Sequence, residues 1–152
     1  MSRGSVTLTL PDIAQRLKRA ELPEVDVVVG IATGGIVPAS LVAYRLELPL
    51  RIMHFNFRAA DNSPQRPEPT LLQPFGLEPD FQNVLLVDDV SVTGATFSAA
   101  MGILENRHVT TFALKGKADI VLYPEVASCI YLPWRDWERP EKKGKAKGER
   151  ES

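Results

Sequence analysis

Between Val84 and Thr96 the chain reads VLLVDDVSVTGAT: an apolar run, two adjacent carboxylates, then a small, hydroxyl-rich turn. Residues of these types in this order suit the capture of a phosphorylated sugar. The β-branched run favours a buried strand, and the turn after it opens a helix whose first main-chain N–H groups point outward. Gly94 lets the backbone approach a guest closely, and the Thr93 and Thr96 hydroxyls add donors. Val92, Thr93, Gly94, Ala95 and Thr96 are therefore an expected anion cradle. Asp88 and Asp89, expected at the strand end, can accept hydrogen bonds from sugar hydroxyls or hold a magnesium ion through water. Asp and Thr also serve simply as caps of turns and helices. Asp-Asp alone, or Thr-Gly alone, is weak evidence; together, directly after a buried strand, they are specific.

The surrounding pattern supplies the elements that must hold this block. Ile13, Leu17 and Ala20 keep helical spacing after Pro11 and Asp12, which predicts an opening helix. VDVVVGIA, Val25 to Ala32, predicts a buried strand ending in a Gly34-Gly35 turn. A helix follows, with Val37, Leu41, Tyr44 and Leu48 on one face and Pro38 in its first turn. Leu50–Phe57 reads as a strand. After the acid block, Phe97, Ala100, Met101 and Leu104 mark another helix, and short strands are expected at about His108–Leu114, Ile120–Tyr123 and Cys129–Leu132. This alternation predicts an α/β fold: a mostly parallel central sheet with helices on both faces, its ligands beyond the carboxyl ends of the strands. Arg58–Asp80 fits no regular element, since it carries Pro64, Pro67, Pro69, Pro74 and Pro79; such long segments are lids, binding loops or disordered insertions.

Composition bounds the class. The chain has 152 residues, 44% hydrophobic and 24% charged, enough for one domain with a real core. Its single cysteine, Cys129, excludes an internal disulfide, no secretion signal is evident, and no apolar run approaches the roughly 20 residues of a membrane span. A cytoplasmic protein without membrane contact is expected. The net charge of −1 gives no general reason to expect nucleic-acid binding. Charge is uneven, however: residues 139–152 carry six basic and three acidic side chains. That segment reads as a disordered charged tail after a domain of residues 1–138. His54 and His108 lack partners at ligand spacing and read as structural, and Cys129 reads as a buried hydrophobe rather than a nucleophile.

The Val84–Thr96 block closely resembles the ribose-phosphate signature of the type I phosphoribosyltransferases, with Asp88 and Asp89 as the acidic pair and Val92–Thr96 as the 5′-phosphate loop. Upstream, GIATGGIVPASLVAYRLELPL, Gly30 to Leu50, resembles the pyrophosphate loop and following helix of the xanthine-guanine branch. HVTTFALKGKAD, His108 to Asp119, and CIYLPW, Cys129 to Trp134, extend the likeness, which spans roughly Val25 to Trp134.

The resemblance implies the family fold, with a small hood built from the chain ends, and a homodimer. It implies an enzyme of purine salvage that moves the phosphoribosyl group of phosphoribosyl pyrophosphate (PRPP) to a nucleobase nitrogen, expected to be that of a purine. Pyrophosphate is released with Mg2+ assistance. Thr33, Gly34 and Gly35 would then bind the pyrophosphate through backbone amides, unless they form an ordinary strand-to-helix turn. Asp88 and Asp89 would be the catalytic pair and would hold the metal through water. Lys115, a donor suited to an oxo group, and Ile130 would meet the base. Arg58 and Arg66 are candidates for a closing lid. A non-proline cis peptide would fall at Ala32–Thr33.

The sequence also departs from the pattern. Thr33 stands where close relatives carry arginine, Cys129 where they carry an aromatic that stacks on the purine, and Val92 where many purine enzymes carry aspartate. Tyr131, Trp134 and Trp137 are candidates for an aromatic wall or for core packing. These departures favour a second reading, a non-catalytic module that binds PRPP or a nucleotide and regulates a partner.

Overall fold

The computed structural model describes residues 5–56 and 70–138. They fall into two compact units: one built from both chain ends, through Arg19 and from Glu125 onward, and one spanning Ala20–Pro124.

In the end-built unit, strand β1 (Val6–Thr7) lies parallel to a later strand over Ile130–Tyr131, with Val6 beside Ile130 and Thr7 beside Tyr131. Helix α1 (Leu10–Arg19) begins where the Thr9 hydroxyl accepts the Asp12 N–H at 3.2 Å. Its Ile13 and Leu17 are buried, as are Leu8 and Leu132. Arg16 pairs with Glu125. The chain ends, from which a hood is expected, form a unit with its own two-stranded sheet. Of the Cys129–Leu132 strand only Ile130–Tyr131 forms, and Cys129 is exposed rather than buried. Its carbonyl accepts the Val6 N–H at 2.9 Å, a backbone role that any residue could fill.

The larger unit holds β2 (Val27–Ala32), α2 (Ile36–Leu46), β3 (Leu50–Asn56), β4 (Thr70–Leu71), β5 (Asn83–Ser91), α3 (Ala95–Ile103), β6 (His108–Gly116) and β7 (Ile120–Val121). The sheet order is β4-β3-β2-β5-β6-β7. Its last five strands are parallel, and β4 runs antiparallel to β3. β2 is buried along its whole length, which explains why its sequence is continuously apolar rather than alternating. Alternation sends Val27, Val29 and Ile31, with Val84 and Leu86, to one face, where they pack with Phe97 and Ala100 of α3 and with Leu104 just after it. α2 covers the other face: a Cβ on Gly30 would lie 2.6 Å from the Ala39 Cβ. Helices therefore cover both faces, as the strand-helix alternation predicts.

The expectation that Arg58–Asp80 lacks regular structure needs correcting in its second half. Thr70–Leu71 forms β4, and Phe75, Leu77 and Phe81 pack against the core. The Arg107 guanidinium donates to the carbonyls of Leu77, Glu78 and Phe81 at 3.2, 3.2 and 2.6 Å, and Arg51 pairs with Glu78 at 2.6 Å. Prolines hide this docking from pattern reading because they suppress periodicity without preventing burial. Residues 57–69, including Arg58 and Arg66, and the tail 139–152 lie outside the described residues.

Candidate functional site

β5 does not stop at the acid pair but runs on through Ser91, paired with β6 as far as Ser91–Gly116. Asp88 and Asp89 thus lie within the strand rather than at its end. The partner on the other side is lost earlier, since the β2 register ends at Gly30–Val87. From Asp88 onward the strand is paired with β6 and no longer with β2.

A cavity of about 170 Å³ is lined by Asp88, Val90, Ser91, Val92, Thr93, Gly94, Ala95 and Thr96. The period of two along a strand sends neighbouring side chains to opposite faces. Accordingly Asp88 belongs to the lining, whereas Asp89 does not and is only 3% exposed. Each acid also shapes the backbone: Asp88 Oδ1 accepts the Asp89 N–H at 2.8 Å, and Asp89 Oδ1 accepts the Val90 N–H at 2.7 Å. At the far wall Gly94 takes φ 87°, a left-handed conformation that favours glycine, and α3 starts at the next residue. Gly94, the N-cap residue, has no side chain with which to cap that helix start. The Thr93 hydroxyl accepts the Ala95 N–H at 3.1 Å, and Thr96 sits inside the first turn rather than at its cap. The result is a short concave run of backbone with the positive end of a helix behind it, suited to an anion.

Thr33, Gly34 and Gly35 form the turn between β2 and α2, after a cis Ala32–Thr33 peptide, where the resemblance puts one. The Gly35 N–H donates to Ile31 O at 2.7 Å and the Ile36 N–H to Thr33 O at 3.1 Å. Those bonds use neither the Thr33 nor the Gly34 N–H. Thr33 is exposed while Gly34 and Gly35 are buried. Gly35 is confined by backbone: a Cβ there would be 2.6 Å from both Ile31 O and Val87 O. Both glycine-bearing turns therefore lie at the carboxyl ends of adjacent strands.

Lys115, half-buried, pairs with Val90 across the β5–β6 ladder, so the same strand pair that holds the cavity also holds this lysine. Ile130, also half-buried, lies in the end-built unit. Val92 is 75% exposed at the cavity rim. Tyr131 and Trp134 are half-buried, and the Trp134 Nε1 is buried without a hydrogen-bond partner. His54 lies in β3 beside Ala32, and His108 opens β6.

Among the described residues no group of three or more His, Cys, Asp or Glu side chains could hold a metal by itself. Two carboxylates on a short strand segment fit a magnesium ion only if a phosphate ligand and waters complete its shell, which is how Mg2+ is commonly bound. Ser91 and Gly116 join the site without having been singled out from sequence. The signal available for Gly116 was a glycine closing a strand-like run between two lysines. Among the described residues no helix is long and apolar enough to cross a membrane.

Comparison with known proteins bears on this geometry. A family model described as the phosphoribosyl transferase domain matches residues 12–118. The transcriptional regulator GfcR 2 of Methanosarcina acetivorans is 35% identical over 133 residues, covering 84% of this chain and 64% of the regulator. The chain spans about half the length of the curated relatives it matches. Among solved structures, a purine phosphoribosyltransferase from Pyrococcus horikoshii superimposes with a TM-score of 0.63 at 25% identity, covering 90% of this chain and 95% of that one. A hypothetical protein from Neisseria gonorrhoeae, solved with bound ppGpp, superimposes with a TM-score of 0.68 at 22% identity over 97% of this chain and 98% of its own.

Proposed function

This chain belongs to the phosphoribosyl transferase domain family, and from that premise we propose that it transfers the phosphoribosyl group of PRPP to a nucleobase nitrogen, a purine being the preferred acceptor. The observation that carries the reading is the cavity bounded by Asp88 and by the Ser91–Thr96 backbone, with left-handed Gly94 opening α3. The 5′-phosphate sits on the Val92–Thr96 loop, on amides other than that of Ala95, whose N–H the Thr93 hydroxyl holds, where the helix start favours negative charge. Asp88 accepts from a ribose hydroxyl, and buried Asp89 fixes the adjoining backbone through the Val90 N–H. In the Thr33–Gly35 turn the Thr33 and Gly34 amides serve the pyrophosphate, while the Gly35 N–H stays with Ile31 O. Lys115 donates to the base, favouring an oxo over an amino substituent.

Departure of pyrophosphate leaves positive charge developing on the ribosyl centre. Catalysis therefore rests on positioning and on carboxylate charge near that centre rather than on a covalent nucleophile. Mg2+, when bound, would be held through water by Asp88 on the cavity side together with phosphate oxygens, with buried Asp89 acting on that place through the backbone, and would supply charge neutralisation of the leaving group.

A second reading has its own support in the regulator name of the 35% identical relative and in apolar, exposed Val92 at the cavity rim. It is a module that binds PRPP or a nucleotide without turnover. Pyrophosphate release, assayed with PRPP, Mg2+ and a panel of purines, pyrimidines and amines, separates the two. Release with a purine is the expected result. Calorimetric binding of PRPP with no release from any acceptor would overturn the enzyme reading and leave the binding module.

A further inference from the structure

β6 ends on Gly116, whose φ is 108°. Its backbone presses on that of Ser91, the last residue of β5 and its register partner. The Lys117 N–H donates to Ser91 O at 2.7 Å. A Cβ on Gly116 would overlap that same carbonyl oxygen and lie 2.7 Å from the Ser91 carbonyl carbon and 2.9 Å from its nitrogen. Both the positive φ and the lack of space demand glycine here.

Ser91 is 7% exposed, lines the cavity, and is the residue from which the Val92–Thr96 cradle departs. The register with β2 has already ended at Val87, so β6 is the described strand that holds this last stretch of β5. The turn beyond Gly116 is fastened at its other end as well. Asp119 Oδ2 accepts from the Thr111 N–H at 2.9 Å and from its hydroxyl at 3.1 Å, and the Asp119 N–H donates to Thr111 Oγ1 at 2.8 Å. The segment is thus clamped to β6 by Thr111 and to the root of the cradle by Gly116 and Lys117.

We propose that Gly116 is a positioning residue for phosphate binding: the close approach it permits fixes where the cradle leaves β5, and with it the direction of the cradle amides. Hydrogen bonds to an anion weaken steeply as donors turn away, so a small displacement at Ser91 is felt by several amides at once. This inference rests on the phosphate-cradle reading given above.

The test is calorimetric titration of the full chain with ribose 5-phosphate, alongside thermal melting, for the natural protein, Gly116→Ala and Thr111→Val. Gly116→Ala is expected to bind at least about tenfold more weakly, whereas Thr111→Val, which loosens only the far clamp, should melt lower yet bind within about twofold. Equal affinity in Gly116→Ala, or an equal loss in Thr111→Val, would overturn the inference. Hydrogen exchange on the natural protein gives an independent readout, which stands if Gly116→Ala fails to fold. Ribose 5-phosphate should slow exchange of the Lys117 amide, and an unchanged rate would also overturn the inference. A natural protein that binds no ribose 5-phosphate would overturn the cradle reading itself, and this inference with it.

Discussion

Gly35 rests against the backbone of Val87: a Cβ at Gly35 would come within 2.6 Å of the Val87 carbonyl oxygen. That contact ties the turn after β2 to the strand that carries the acids. Gly35→Ala must push the two apart, and neither neighbour is a flexible side chain that can yield. The expected cost is about 1–3 kcal/mol, as for overpacking elsewhere. It should be seen as a lower urea midpoint at unchanged slope, together with weaker PRPP binding. A variant with the natural midpoint would show that the turn has room to shift.

Asp88 and Asp89 differ in exposure, so their amide variants should differ in kind. Asp88→Asn is expected to lower kcat/KM at least tenfold, about 1.4 kcal/mol, with its melting temperature unchanged. Asp89→Asn should lower activity and melting together, because Asp89 is buried and an amide nitrogen replaces one of its carboxylate oxygens out of reach of water, whereas Asp88 borders the cavity. Full activity in both variants would remove the acids from the reaction and leave them as backbone caps.

Residue types told most of the fold. The continuous apolar run of β2 and the passage from strand through a glycine turn to a helix in Val84–Thr96 are local signals, and the structure has both, with the acids inside the strand rather than at its end. Long-range facts were not legible. Nothing in VSVTG says that β5 continues past its acids, because that depends on β6 offering Lys115 and Gly116 as partners. The docking of Phe75 and Leu77 depends on carbonyls captured by Arg107, far along the chain. Cys129 has the character of a buried hydrophobe, but its burial depended on neighbours that sequence could not name.

Arg107 should prove an anchor for the segment after β4. It reaches the carbonyls of Leu77, Glu78 and Phe81, so Arg107→Ala leaves three acceptors without their shared donor. A loss of about 1–3 kcal/mol is expected, with proteolysis appearing first near Gly76. Unaltered cleavage and stability would mean that the apolar contacts of Phe75 and Leu77 suffice.

Asp26 gives a pH signature at the opposite end of the sheet from the cavity. Its carboxyl lies below the usual value because the Asn83 backbone N–H, and then the Asn83 side chain and the Gln82 N–H, donate to it. A depressed carboxylate stabilises the fold above the unfolded-state value of about 3.9, and that stabilisation is lost as pH falls through the folded value. Asp26→Asn should therefore be less stable than the natural protein near neutral pH, the gap narrowing in acid as pH falls below the unfolded-state value. Urea midpoints near neutral pH and in acid check this, and a gap independent of pH would exclude the ionised form as its source.

The pairing of Val6 with Ile130 has a consequence for biosynthesis. The Ala20–Pro124 unit is continuous in sequence, whereas β1 must wait for a partner made more than a hundred residues later. At about 5–20 residues per second, the first strand and its helix spend several seconds exposed to chaperones and proteases before that partner emerges. Slow translation between the two strands should lengthen that exposure, and a release of the nascent chain before residue 130 would leave the leading strand unpaired.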